Sequence, residues 1–290
     1  MSQIPNSRSI SRRRFLKSTA ALAAVGAVAP QTLGAEKMKK EKNIPVGVQL
    51  WCVRDLAEKD FPRTIEAIAK MGYEGVEFAG FYKHRAEELR KMLDDNSLKC
   101  CGSHTHIEEL SPKNLPATVK FNKILGNKNI IVPWLDPEQH KTKEAWIKEA
   151  HHFNELAEKL KPEGMRIGYH GHGPDFKPIN GEMPWDIFFS NTDKDVIMQV
   201  DTGNTMSGGG DPIACLKKYP GRTVTIHLKE FSATNPKALI GEGDLDWQQI
   251  FSICETTGGT EWYIIEEEKD AYPPLIAIEK SLENYKKLRA

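Results

Sequence analysis

This chain has no net charge to speak of: its 290 residues carry 40 basic and 40 acidic side chains. The whole-protein field that would recruit nucleic acid or anionic lipid is therefore missing. Cysteine is scarce. The five present, Cys52, Cys100, Cys101, Cys215 and Cys254, are odd in number and irregularly spaced, and the adjacent pair would face opposite sides of a strand. Buried thiols are expected, not a disulfide framework. After the N-terminus no stretch reaches the ~20 uninterrupted apolar residues that span a bilayer, so no membrane span is expected in the mature chain. No glycine-rich phosphate loop follows the first apolar run, and there is neither a CxxC pair nor an HExxH helix. A nucleotide-binding doubly wound sheet and the common zinc motifs lose ground accordingly.

What the N-terminus has is an address. "SRRRFLK", from Ser11 to Lys17, precedes the small apolar run "STAALAAVGAVAP" and then "LGA", a cleavage site ending at Ala35. Serine, paired arginines, phenylalanine and leucine resemble the twin-arginine signal, which implies bacterial export of an already folded protein to the periplasm. Residues 1–35 are thus read as signal, 36–44 as a short lead and 45–290 as one folded body.

From Ile44 onward, short apolar runs alternate with longer charge-rich stretches. The expected strands are "PVGVQLW", "YEGVEFAG", "KCCGSH", "NIIVP", "MRIGYHGH", "VIMQVD", "RTVTIHLKE" and "EWYIIEEE". Between them, stretches such as "FPRTIEAIAKMG" and "KEAWIKEAHHFNELAEKLK" place apolar residues at helical spacing, with glycine or proline at their ends. Eight strand-then-helix units predict an α/β fold, a single (β/α)8 barrel, whose active site lies at the C-terminal ends of the strands.

Those strand ends are where ionisable groups gather. The fifth carries His170 and His172, the sixth Asp201, the seventh His227 and Lys229, and the eighth Glu266 and Glu268. Singly, each has a plain structural reading: Asp201 caps a helix, His227 is a hydrogen-bonded core histidine, and the acidic turn after the last strand is solvated. Together, four consecutive strands ending in imidazole or carboxylate are hard to explain by capping, because burying several charges is costly unless they pair or bind a cation. His170, Asp201, His227 and Glu266 are the expected ligands, and His172 and Glu268 lie near enough in sequence to exchange roles with their neighbours. A mixed imidazole and carboxylate set suits one divalent ion of manganese, zinc, cobalt or iron. His151 and His152, on a charged helix, are assigned to the surface.

The pieces "GVQLW", "GYEGVEFAG", "GYHGH", "VDTGN", "HLKE", "GEGDLDW" and "WYIIEEE", in this order, resemble the xylose isomerase-like barrel superfamily and its sugar phosphate isomerase/epimerase type. In the ketose epimerases of that superfamily, a glutamate, an aspartate, a histidine and a second glutamate hold a divalent ion, and two glutamates exchange the proton. The resemblance assigns Asp201, His227 and Glu266 to that set, with Lys229 and Asn204 beside the pocket. One position departs: His170 stands where the first glutamate belongs. Glu77, inward-facing at the end of the second strand, is a substitute base, as are His172, Lys229, His104 and Glu268. The catalytic candidates are therefore Glu266, Lys229, His172 and Glu77, with His104, Asn204 and Glu268 set to contact substrate.

The expected activity is that of a divalent-metal-dependent isomerase or epimerase that removes a proton beside the carbonyl of a free sugar or keto sugar. The alternative is a lyase or hydratase acting on 3-keto sugars or glycosides by elimination. Export argues against phosphorylated substrates. Two rivals belong to other classes. The superfamily's three-zinc apurinic endonucleases need extra histidines and an Asp-x-His step that do not stand out in this chain, and a DNA enzyme would want a basic face. An exported sugar-binding protein without catalysis is the second. No nucleic-acid partner is expected, and a homo-oligomer is left open.

Overall fold

The computed structural model describes residues 43–290. The stretch read as signal, and the lead as far as residue 42, lie outside the described residues. Eight strands appear where the apolar runs stand: β1 (Val46–Gln49), β2 (Gly75–Phe78), β3 (Lys99–His104), β4 (Asn129–Val132), β5 (Arg166–His170), β6 (Ile197–Gln199), β7 (Thr225–Leu228) and β8 (Trp262–Ile265). All are parallel, and β1 pairs with both β2 and β8. The ring is completed more loosely between β6 and β7, where the Met198 N–H donates to Arg222 O at 2.8 Å and the His227 N–H to Val200 O at 2.9 Å.

Among the described residues, ten α-helices cover the outside: α1 (Arg54–Lys59), α2 (Phe61–Met71), α3 (Ala86–Asp95), α4 (Leu115–Leu125), α5 (Lys143–Leu160), α6 (Pro184–Ser190), α7 (Thr202–Ser207), α8 (Pro212–Lys218), α9 (Trp247–Ile253) and α10 (Pro274–Leu288). Helix α2 shows why such segments form. Asp60 accepts the Arg63 N–H at 3.1 Å, Pro62 sits in the first turn, and Gly72 ends the helix at φ 93°. Its Phe61, Ile65 and Ile68 make one buried stripe against the strands. Truncating Ile68 to alanine removes about 2–5 kcal/mol of packing.

All five cysteines are free thiols, and only Cys100 is not fully buried. His152 lies on the outer side of α5 against Glu149, at 3.0 Å. No helix among the described residues is long and apolar enough to cross a membrane.

The interior is not uniformly apolar. Gln49, Glu77, Gln199 and His227 are buried together toward the C-terminal ends of the strands, with Thr225 below them at the start of β7. That polar layer is the floor on which the site rests.

Candidate active site and metal centre

Asp201 lies two residues past β6, at the start of α7. Its Oδ1 accepts the Asn204 N–H at 2.7 Å and caps the helix. Its Oδ2 is buried and has no hydrogen-bond partner. An orphaned buried acceptor costs about 1–3 kcal/mol, and more when charged. Burial accordingly pushes the Asp201 carboxyl above its usual range, against the pull of Lys229. One oxygen is a cap, and the other faces a place where a cation fits.

Three more side chains converge there. His170, Asp201, His227 and Glu266 are all buried, and each offers a ligand atom within 4.8 Å of the others. Imidazole nitrogen mixed with carboxylate oxygen is a donor set for a borderline divalent ion. The orphaned Oδ2 and this convergence fit such an ion. His104, His170 and His227 also group within 4.8 Å, so two of the four ligand candidates adjoin a third ring.

Hydrogen bonds below the cluster fix which nitrogen each histidine presents. Gln199 Nε2 donates to Glu77 Oε1 and to Thr225 Oγ1, both at 2.8 Å. A carboxylate only accepts, so the amide nitrogen must face Glu77 and the amide oxygen must face the histidines. That oxygen accepts from His170 Nδ1 at 2.9 Å and from His104 Nε2 at 3.0 Å. His170 therefore keeps Nδ1 protonated and turns the Nε2 lone pair outward. His227 donates Nε2–H to Glu77 Oε2 at 2.5 Å, while its Nδ1 meets Glu266 and lies 3.9 Å from Asp201 Oδ2. Nδ1 is the nitrogen left for a metal, with Glu77 behind the ring, the arrangement that orients metal-bound histidines.

Glu77 is fully consumed by this task. It receives His227, Gln199, Gln49 Nε2 at 2.8 Å and His104 at 3.1 Å. Burial would raise its carboxyl, but the charges of His104 and His227 outweigh that and hold it below the usual carboxylate range. A carboxylate so placed is a poor base and does not line the cavity. Room for it comes from Gly102: the β2–β3 register shifts between Val76 and Glu77, and a Cβ on Gly102 would lie 2.4 Å from Glu77 Oε1.

Above the floor opens a cavity of about 410 Å³. Of the residues singled out in the sequence, His104, His170, His172, Glu266 and Glu268 line it. Asn204 turns aside, donating its side-chain amide to Gly171 O at 3.2 Å. Lys229 Nζ joins Glu266 at 3.0 Å and Glu268 at 2.5 Å. Burial disfavours its charge, yet Glu266, Asp201 and Glu268 overcome this and push the ammonium far above its ordinary pKa. It is a fixed cation. His172 is the opposite: burial lowers it to about 4, so its imidazole is neutral at pH 7, and its buried Nδ1 has no partner. Sequence reasoning missed Gln49, Gln199, Trp51, Phe81, Trp134, His106 and Glu109, of which all but Gln199 line the cavity. A glutamine inside each of the apolar runs "VGVQLW" and "VIMQVD" was the available signal.

Comparison with known proteins adds the lineage. A family model described as xylose isomerase-like TIM barrel matches residues 65–288. A second, the twin-arginine translocation pathway signal sequence, matches residues 9–29 and supports export by that route. An inosose dehydratase of Clostridium botulinum is 26% identical over 251 residues, covering 73% of this chain and 84% of that protein. Among solved structures, a sugar phosphate isomerase/epimerase from Parabacteroides distasonis superposes with a TM-score of 0.74 at 22% identity, over 84% of this chain and 98% of its own. The IOLI protein with a bound zinc atom does so at 0.66 and 17%, with the same coverage. At these identities the solved structures speak to the fold.

Proposed function

This chain belongs to the xylose isomerase-like TIM barrel family, and from that premise we propose a divalent-metal-dependent enzyme that takes a proton from the carbon beside a sugar carbonyl and completes an elimination. The observation that carries this is the unpartnered Oδ2 of Asp201, converging with His170, His227 and Glu266 beneath a cavity walled by His172 and Glu268. A divalent ion held by those four residues would supply Lewis acidity at the substrate's carbonyl and neighbouring hydroxyl.

The protein's own groups divide the remaining work. His172, whose neutral ring lines the cavity wall, accepts the proton. Once protonated, it can return that proton to the oxygen leaving from the beta carbon, so water or an alcohol departs and an unsaturated ketone remains. Lys229 keeps its charge and offsets Glu266 and Glu268. No lysine or arginine lines the cavity among the described residues, which favours an unphosphorylated sugar or keto sugar.

Elimination stands ahead of the isomerase or epimerase reading for two reasons. The ketose epimerase pattern places a proton-carrying carboxylate where the fifth strand here ends in His170, and Glu77 is occupied by four donors. The similar curated proteins are also named as dehydratases. Isomerisation is the second reading, supported by the name of the P. distasonis structure. Export of a folded protein with its ion in place fits the twin-arginine signal and points to the periplasm.

The test is proton NMR of the metal-replete mature protein in deuterated water with ketoses, aldoses and 3-keto glucosides. Deuterium beside the carbonyl together with a released alcohol or water supports the proposal. Exchange with a new aldose or ketose would shift it to isomerisation, and no exchange at stoichiometric metal would leave a sugar-binding protein. Cell fractionation checks the destination.

A further inference from the structure

The barrel mouth has two chemically distinct halves. The ends of β5 to β8 supply the imidazoles and carboxylates, whereas the segments after β1, β2 and β4 supply rings: Trp51, Phe81 and Trp134. Trp51 and Trp134 are 46% and 47% exposed, while Trp146, Trp185 and Trp247 are at most 4% exposed. Two large apolar side chains left in water at the rim of one cavity mark a binding surface more than a packing need.

These rings are also held in place. The Trp51 N–H donates to Gln49 Oε1 at 3.0 Å, Arg54 Nη1 donates to Trp51 O at 2.8 Å, and the Arg54 guanidinium lies 4.5 Å from the indole centroid. Trp134 follows Pro133, whose ring fixes the chain leaving β4. Phe81 is backed by Phe121 with centroids 4.1 Å apart. A pre-ordered aromatic wall loses little entropy on binding. Since β1 and β4 stand three places apart in the ring of strands, the two indoles occupy separate sectors of the mouth, across from the ionic side.

A keto sugar bound at the ionic half would leave this wall uncovered. The cavity, at about 410 Å³, lies within the range of roughly 300–1,000 Å³ that accommodates drug-sized ligands. Resting on the enolising reading above, we infer that the substrate is a glycoside whose keto ring meets the ionic half and whose second ring lies against Trp51 and Trp134. What the wall recognises is a flat apolar face. A second pyranose offers one through its C–H bonds, and an aromatic aglycone offers one through its π-face.

The experiment measures calorimetric binding of three probes to the metal-replete protein carrying His172→Gln, which blocks turnover: the 3-keto forms of methyl glucoside, phenyl glucoside and a glucose disaccharide. The ring-bearing probes should bind at least about tenfold more tightly than the methyl glucoside, a scale typical of tryptophan anchors. Adding Trp51→Ala or Trp134→Ala should erase that preference and leave the methyl probe within about twofold. Whether phenyl or glucosyl wins identifies the ring. Equal affinity for all three probes, or equal losses for all three in the tryptophan variants, overturns the inference. Deuterium exchange by the unmodified protein is read separately. If no probe exchanges while the ring preference persists, the enolising reading falls and the aromatic subsite stands.

Discussion

Changing Asp201 to asparagine separates its two jobs. Asparagine ranks with aspartate as a helix cap, so its oxygen can keep the Asn204 N–H that Oδ1 now accepts at 2.7 Å. The orphaned Oδ2 becomes an amide nitrogen, which cannot ligate a cation. The fold should survive and the metal-linked stability should vanish. In the unaltered protein, an ion present at a hundred times its dissociation constant adds about 2.7 kcal/mol, which for a body of this size raises Tm by about 5–11 °C. Asp201→Asn should show almost none of that rise. Without metal it should stay close to the parent, because the unpartnered position keeps a polar atom and loses only its charge.

Asp201→Ala is the control, losing the cap as well, at a cost of about 0.5–2 kcal/mol in either condition. Scanning calorimetry of the mature protein, first with chelator and then with manganese or zinc, reads all three chains. If Asp201→Asn gains as much from metal as the parent does, Asp201 is a cap and the proposed centre lies elsewhere. Should it be as unstable as Asp201→Ala without metal, the cap argument fails instead.

Gly102→Ala drives a Cβ to within 2.4 Å of Glu77 Oε1; it should cost about 1–3 kcal/mol by overpacking. It should also weaken metal binding roughly 10–100-fold, because Glu77 orients His227, and unchanged metal titrations would refute that link. Burial works against a charge on His227, but Glu77 and Glu266 outweigh it and hold the ring up to about 10. In the metal-free protein this pairing stabilises fully below the unfolded pKa of about 6.5 and is lost as pH rises through about 10. Since a ligating ring must shed its Nδ1 proton, metal affinity should rise with pH below about 10 and uptake should release protons. Calorimetric heats at pH 8 that do not vary with buffer ionisation would contradict this. His170→Glu, which restores the epimerase pattern, should be less stable than His170→Gln by about 1–3 kcal/mol at pH 8, with the gap closing toward pH 4 as the carboxyl protonates. Urea unfolding at both pH values checks it, and equal stability throughout would sink the argument.

The barrel was legible because periodicity is local. Each apolar run became a strand within a few residues of its expected bounds, and helices such as α2, α4 and α7 ended at glycine. The residues that converge in the candidate site, His170, Asp201, His227 and Glu266, were visible for the same reason: a polar residue at the end of an apolar run stands out. What was hidden was the division of labour among them, since that depends on register. Glu77 reads as an inward-facing base in "GYEGVEFAG", yet the shift between Val76 and Glu77 sets it opposite Gly102 and in reach of four donors. Trp51 and Trp134 carry no mark that distinguishes a rim tryptophan from a core one. Only their position after β1 and β4 does.

The same network explains why His170 is more than one substituted ligand. Glu77 accepts from the Gln199 amide nitrogen, which turns the amide oxygen toward residue 170. An imidazole N–H satisfies that oxygen, whereas a glutamate would set one acceptor against another. Flipping the amide would only move the conflict to Glu77. Glu77, Gln199 and His170 are therefore one choice made at three positions on β2, β6 and β5. A chain that has made it has a neutral ring where the ketose epimerases have a proton-carrying carboxylate. That exchange at the fifth strand is the reason we propose elimination ahead of a two-carboxylate epimerisation.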